Sequence, residues 1–100
     1  MNSCPNCAKN KKQARDDELV KNLKRRLNRA VGQLNGVNNM VDENRYCVDI
    51  LTQIAAIESA LKEIGYLILE DHMKTCVSDD IKNGDFSSLE EALALSKKLV

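Results

Sequence analysis

The chain has 100 residues, 15 of them basic and 15 acidic, with three aromatic side chains and four cysteines. A chain of this size makes one small domain that buries only about two-thirds of its unfolded surface, so its core is marginal without a supplement. No stretch approaches the ~20 apolar residues of a membrane span and no apolar leader opens the chain, so the expected location is cytoplasmic, where thiols stay reduced. One histidine, no glycine-rich phosphate loop and no spaced nucleophile–base pair give no expectation of an enzyme.

Residues 1–15 are polar, lysine-rich and short of apolar anchors, the composition of a disordered tail. They hold Cys4-Pro5-Asn6-Cys7, whose spacing suits an accessory metal clip, a redox pair or a handover point for a soft ion. Residues 16–100 read as one all-α domain. Asp16 or Asp17 is placed to cap a first helix, whose apolar stripe runs from Val20 through Leu23, Leu27, Ala30, Leu34 and Val37 to Val41. Gly32 and Gly36 lie within it, where a neighbouring backbone has room to approach. Asp42-Glu43-Asn44 ends the pattern.

A second, proline-free helix is expected from about Arg45 to Thr75, with Leu51, Ile54, Ile57, Leu61, Ile64 and Ile68 at helical spacing. About thirty helical residues span ~45 Å, too long to be buried within one small domain. Such a helix is expected to pair with a copy of itself. Asn83-Gly84-Asp85 reads as a stop and turn. Ser87 and Ser88, each three residues before Glu90 or Glu91, are capping-box candidates for a short third helix ending near Lys98. The expected protomer therefore has three helices, the central one long.

Charge is unevenly spread. Nine basic residues lie between Lys9 and Arg29 against Asp16, Asp17 and Glu18, whereas nine acids between Glu58 and Glu91 face three lysines. A chain polarised in this way can present one basic face without being a basic protein.

His72 and Cys76 are four apart, one helical turn from each other on one face. Cys47 lies 25 positions before His72, almost seven whole turns, and so points to nearly the same side. Along the axis, however, the two are ~37 Å apart. One straight helix cannot bring them to the same ion, whereas an antiparallel twin sets Cys47 of one chain beside His72 and Cys76 of the other. Two-fold symmetry then makes two identical sites. Structural zinc ordinarily takes four ligands, while two thiolates and an imidazole suit Cu(I) at low coordination number. A fourth ligand from the N-terminal tail would shift that preference back toward zinc.

The first helix carries Arg26-Leu27-x-Arg29-x-x-Gly32-Gln33-x-x-Gly36-Val37. The second carries Arg45-Tyr46-Cys47-Val48-Asp49-Ile50-Leu51-x-Gln53-Ile54-Ala55-Ala56 and Leu69-Glu70-Asp71-His72-x-x-x-Cys76-Val77. On these residues the chain resembles the CsoR/RcnR family of bacterial metal- and stress-sensing repressors, from about Val20 onward. The resemblance implies an all-helical dimer that assembles into a tetramer, binds operator DNA when ligand-free and releases it on binding its ligand. Cys47, His72 and Cys76 follow the pattern of the copper-sensing branch. In that branch a tyrosine and a glutamate couple the histidine to DNA release. Tyr46 matches the tyrosine, and either Glu91 or Glu90 the glutamate. Lys24, Arg25, Arg26 and Arg29 are the expected DNA contacts, on a face where Asn28 and Asn35 replace the relatives' basic residues, Val31 an acid, and Glu58 the arginine of many relatives. Each lost cation removes a phosphate contact.

The expected function is a Cu(I)-responsive repressor, with a copper chaperone as a candidate partner. Two alternatives stand beside it: a persulfide or thiol-stress sensor using Cys47 and Cys76, and a cytosolic copper buffer or chaperone with no DNA role.

Overall fold

The computed structural model describes residues 15–99. The N-terminal tail through residue 14, with the expectation of disorder, lies outside them. The described residues are all-helical: α1 (Asp17–Asp42), α2 (Cys47–His72), a π-helical turn (Met73–Val77), α3 (Ser78–Lys82) and α4 (Ser87–Ser96). The π turn joins α2 to α3 with helical backbone at every junction residue. The central rod thus runs unbroken from Cys47 to Lys82, ~54 Å at 1.5 Å per residue. The expected end near Thr75 is corrected: the rod passes through a widened turn there and stops only at Asn83.

Both reversals are set by backbone closure. At the end of α1 the Arg45 N–H donates to the Met40 carbonyl (2.9 Å) and the Asn44 N–H to that of Val41 (3.1 Å). Asn44 takes the left-handed conformation this closure needs, at φ 56°, which asparagine tolerates better than most residues. The second reversal repeats the pattern. Asp85 N–H donates to the Asp80 carbonyl (2.8 Å) and Gly84 N–H to that of Ile81 (2.9 Å), with Gly84 at φ +80°.

The capping expectations fare differently. Asp16 occupies the N-cap of α1, but its side chain makes no capping hydrogen bond. Ser87 is the first residue of α4 rather than its cap. The work falls to Asp85, whose Oδ1 accepts from the Ser87 N–H (3.0 Å) and the Ser87 hydroxyl (2.6 Å). Ser88 is fully buried, so neither serine closes a box with Glu90 or Glu91.

α1 and α2 pack side by side as a hairpin. Leu23 and Ala30 of α1 and Ile57 and Ile64 of α2 are buried. Each pair is seven residues apart, the repeat that keeps one seam facing a single neighbour. Much of the rest of the apolar stripe is not covered by the described residues: Leu27, Val31, Leu34 and Val41 on α1, and Val48, Leu51 and Leu61 on α2, are exposed. Gly32 and Gly36 open onto space, with nothing within 4 Å of a Cβ built on either. Among the described residues no backbone uses the room they leave.

The two Ser87 hydrogen bonds hold the Asp85 carboxyl below its usual range. A depressed folded-state value gives stability that is present above the unfolded aspartate value of 3.8 and lost as pH falls through the lower folded value. In urea unfolding followed by circular dichroism, wild type is therefore expected to lose stability below about pH 4 faster than Asp85→Asn. The two curves should converge at the acid end.

Candidate metal centre and DNA face

The second half of the molecule is arranged around the π turn. Thr75, within it, donates its hydroxyl back to the Asp71 carbonyl at 2.8 Å, the i−4 back-bond that loosens and bends a helix. The wider i→i+5 pitch alters the relation of the two candidate ligands. In a regular α-helix a four-residue step overshoots one turn; the wider turn winds Cys76 less far round the axis from His72. Both side chains are buried, along with Val77. α4 packs across the π turn and buries Ser88 and Ala92. Beyond α4, the Tyr66 hydroxyl donates to the Leu99 carbonyl at 3.4 Å. A Cβ on Gly65 would lie 2.8 Å from Leu99 Cδ2, so a larger residue there would make the flexible end of the Leu99 side chain shift. Gly65, Ile68, Leu69, His72, Leu95 and Leu99 line an apolar cavity of about 220 Å³, which gives the imidazole a low-dielectric wall.

Cys47 lies at the other end of the rod. It is the first residue of α2, an exposed free thiol, preceded by Tyr46, which is 70% exposed. Helical rise keeps it ~37 Å from His72. Accordingly, among the described residues no group of three or more His, Cys, Asp or Glu side chains is placed to hold a metal ion. Cys47 is not paired with Cys76. Cys4 and Cys7 lie outside the described residues.

Glu90 and Glu91 separate clearly. Glu90 is exposed, whereas Glu91 is half-buried, and its Oε1 is buried with no hydrogen-bond partner among the described residues. Glu91 is thus the more enclosed of the two. No sequence signal distinguished them, because their register depends on where α4 starts.

Of the four expected DNA contacts, Lys24, Arg25 and Arg29 are exposed on α1. Arg25, Arg26 and Arg29 line one open depression of about 410 Å³. Arg26 differs from the others. Its guanidinium is half-buried and meets Glu63 of α2 at 3.1 Å, a residue that sequence reading did not single out.

The comparisons with known proteins agree with this architecture. Residues 20–98 match the family model for the metal-sensitive transcriptional repressor. The chain is 43% identical over 90 residues to the copper-sensing transcriptional repressor CsoR of Bacillus subtilis (strain 168), covering 89% of this chain and 86% of that protein. It is 38% identical over 82 residues to the copper-sensing transcriptional repressor RicR of Mycobacterium tuberculosis, covering 79% and 85%. Among solved structures, it is similar to the copper-sensing repressor CsoR with Cu(I) from Geobacillus thermodenitrificans NG80-2. That match has a TM-score of 0.78 and 42% identity, over 86% of this chain and 91% of that one. The nickel-responsive transcriptional regulator InrS has the same fold at a TM-score of 0.69 and 34% identity, covering 88% and 100%. Relatives named for sensing different metals thus share this scaffold. On its helical architecture and the match across residues 20–98, the chain belongs to the family of metal-sensitive transcriptional repressors.

Proposed function

We propose that this repressor responds to Cu(I), binding operator DNA when metal-free and releasing it when Cu(I) is held between two chains. The observation that carries the proposal is the donor set. His72 at the end of α2 and Cys76 in the π turn that follows are both buried, and Cys47 is presented as an exposed free thiol at the opposite end of the same rod. Two sulfurs and an imidazole fit a soft monovalent ion better than a hard one. An antiparallel second chain supplies Cys47 to the His72–Cys76 pair, and its own pair receives Cys47 in return. The copper-sensing relatives support the choice of ion.

The exposed apolar stripe supports the dimer. Seven or more large side chains on α1 and α2 remain open to solvent. Covering the exposed half of each contributes about 1 kcal/mol toward association. A further pairing of dimers into a tetramer would use what the first interface leaves open, including the space beside Gly32 and Gly36. In the cytoplasm, reducing conditions would keep Cys76 available as a thiolate. Metal binding then supplies a two-chain cross-link, and the basic face of α1 moves with the helices it joins. Glu91, rather than Glu90, would orient His72, and Tyr46 would accompany Cys47 into the site. Such outer contacts set the tautomer and orientation of a ligating imidazole.

The exposed free thiol of Cys47 leaves one second reading, a thiol-stress sensor in which Cys47 and Cys76 of paired chains form a disulfide or persulfide link and metal is not the signal. The buried imidazole is not needed for that chemistry.

Two outcomes test the proposal. With a labelled duplex selected in vitro on the reduced wild-type protein, one Cu(I) per chain should weaken DNA binding about 100-fold, ~2.7 kcal/mol of coupling. Cys47→Ala, His72→Ala and Cys76→Ala should each abolish the response while keeping DNA binding in the metal-free state. Unchanged anisotropy on adding Cu(I) to wild type contradicts it, and a response to oxidant alone favours the thiol reading. Separately, Glu91→Gln removes the charge of a half-buried carboxylate while keeping its size. It should leave metal-free stability unchanged or raise it by up to about 1 kcal/mol, while reducing the Cu(I) effect on DNA. Glu90→Gln should do neither.

A further inference from the structure

The cross-helix pair of Arg26 and Glu63 has a consequence for the DNA face. Arg26 NH1 donates to Glu63 Oε2 at 3.1 Å, and its Nε donates to Asn22 Oδ1 at 3.1 Å. The same Asn22 oxygen accepts from Arg25 NH2 at 2.9 Å. Glu63 is itself 70% exposed and Arg26 38%. Ion pairs this open to water contribute little to stability, so the pair matters mainly through what it leaves the guanidinium free to bind.

The surroundings define an edge. Arg26 and Glu63 share a depression with Tyr66, Leu67 and Glu70, so two α2 carboxylates border the basic surface of α1. Glu70 is itself hydrogen-bonded to Lys74 at 2.8 Å. A phosphate approaching Arg26 therefore has to displace one carboxylate and lies near a second. At Arg25 and Arg29 no ion pair is formed among the described residues that such a phosphate would have to break.

We propose that Glu63 is a positioning residue of the DNA face: it holds Arg26 against α2, marks the border of the phosphate-binding surface and lowers affinity for DNA. This rests on the DNA-binding function proposed above. Each phosphate neutralised by a protein cation steepens the dependence of log K on log salt by ~0.9. Releasing Arg26 adds one such contact.

The test is a salt titration of DNA affinity for full-length wild type, Glu63→Gln, Arg26→Ala and the double variant, all reduced and metal-free, on a labelled duplex selected in vitro on wild type. Glu63→Gln keeps the side chain's size and an acceptor oxygen while removing its charge. It is expected to tighten binding on the order of tenfold at low salt and to steepen the slope by about one ion. In the Arg26→Ala background most of that gain should vanish. Glu90→Gln, the same charge change at an exposed site on α4, should change affinity by less than about twofold. An equal gain with and without Arg26 would overturn the proposal, as would no gain at all. Absence of DNA binding by wild type and every variant, with selection returning no duplex, instead removes the DNA function and this inference with it. Matching thermal unfolding of wild type and Glu63→Gln excludes a folding defect as the cause of any difference.

Discussion

The stiffness of α2 keeps Cys47 and His72 ~37 Å apart however the rest of the chain packs. Helical hydrogen bonds fix the rise per residue, and no proline or glycine break interrupts the segment between them except Gly65, which lies beside the end of the Leu99 side chain. The consequence reaches beyond the cysteines. A domain organised on a rod of this length cannot wrap its own apolar surface, and the exposed residues of α1 and α2 show the deficit directly. The proposed metal site and the proposed dimer are thus two answers to one geometric constraint. A second antiparallel rod completes the donor set and covers the stripe at the same time.

The division of apolar residues follows from period. Residues seven apart, Leu23 with Ala30 and Ile57 with Ile64, line the internal seam. Those between, such as Leu27, Val31 and Leu61, fall to its flank. A stripe with steps of three and four is wider than one neighbour covers, and the surplus is what a second chain would bury. The basic and acidic halves meet across the same hairpin. Because α1 and α2 run antiparallel, Arg15 at the start of the chain's helical part approaches Asp71, beside His72, at 4.0 Å. Glu63 lies nine residues before His72, ~13 Å along the rod. A change at the π turn therefore has a short, continuous path to the arginines of α1.

Much of this was legible in the sequence, because helix phase and chain reversal are local properties. The apolar steps located both long helices, and Asn44 and Gly84 sit where the backbone turns left-handed. The separation of Cys47 from His72 followed from counting residues. What escaped depends on contacts made only after the helices dock. The π turn has a faint signal at best, the Thr75-Cys76-Val77 run beside the ligand pair. The choice between Glu90 and Glu91 turns on a one-residue shift in the start of α4, which Asp85 rather than a serine determines. Arg26 and Glu63 are 37 positions apart, and only the register of the hairpin brings them together. The cysteine pair of the tail, Cys4 and Cys7, lies outside the described residues.

The central claim is that the metal site belongs to two chains, and mixing variants tests it most directly. Cys47→Ala and Cys76→Ala each lose one donor class, so neither forms a complete site in its own dimer. A dimer containing one of each has one intact site and one doubly broken. After unfolding and refolding an equal mixture under reducing conditions, competition against a chromogenic Cu(I) chelator should recover about one high-affinity site per four chains at random pairing. Each variant refolded alone should recover none. High-affinity binding by either variant alone, or no recovery in the mixture when mass spectrometry shows mixed dimers, would contradict a site shared between chains.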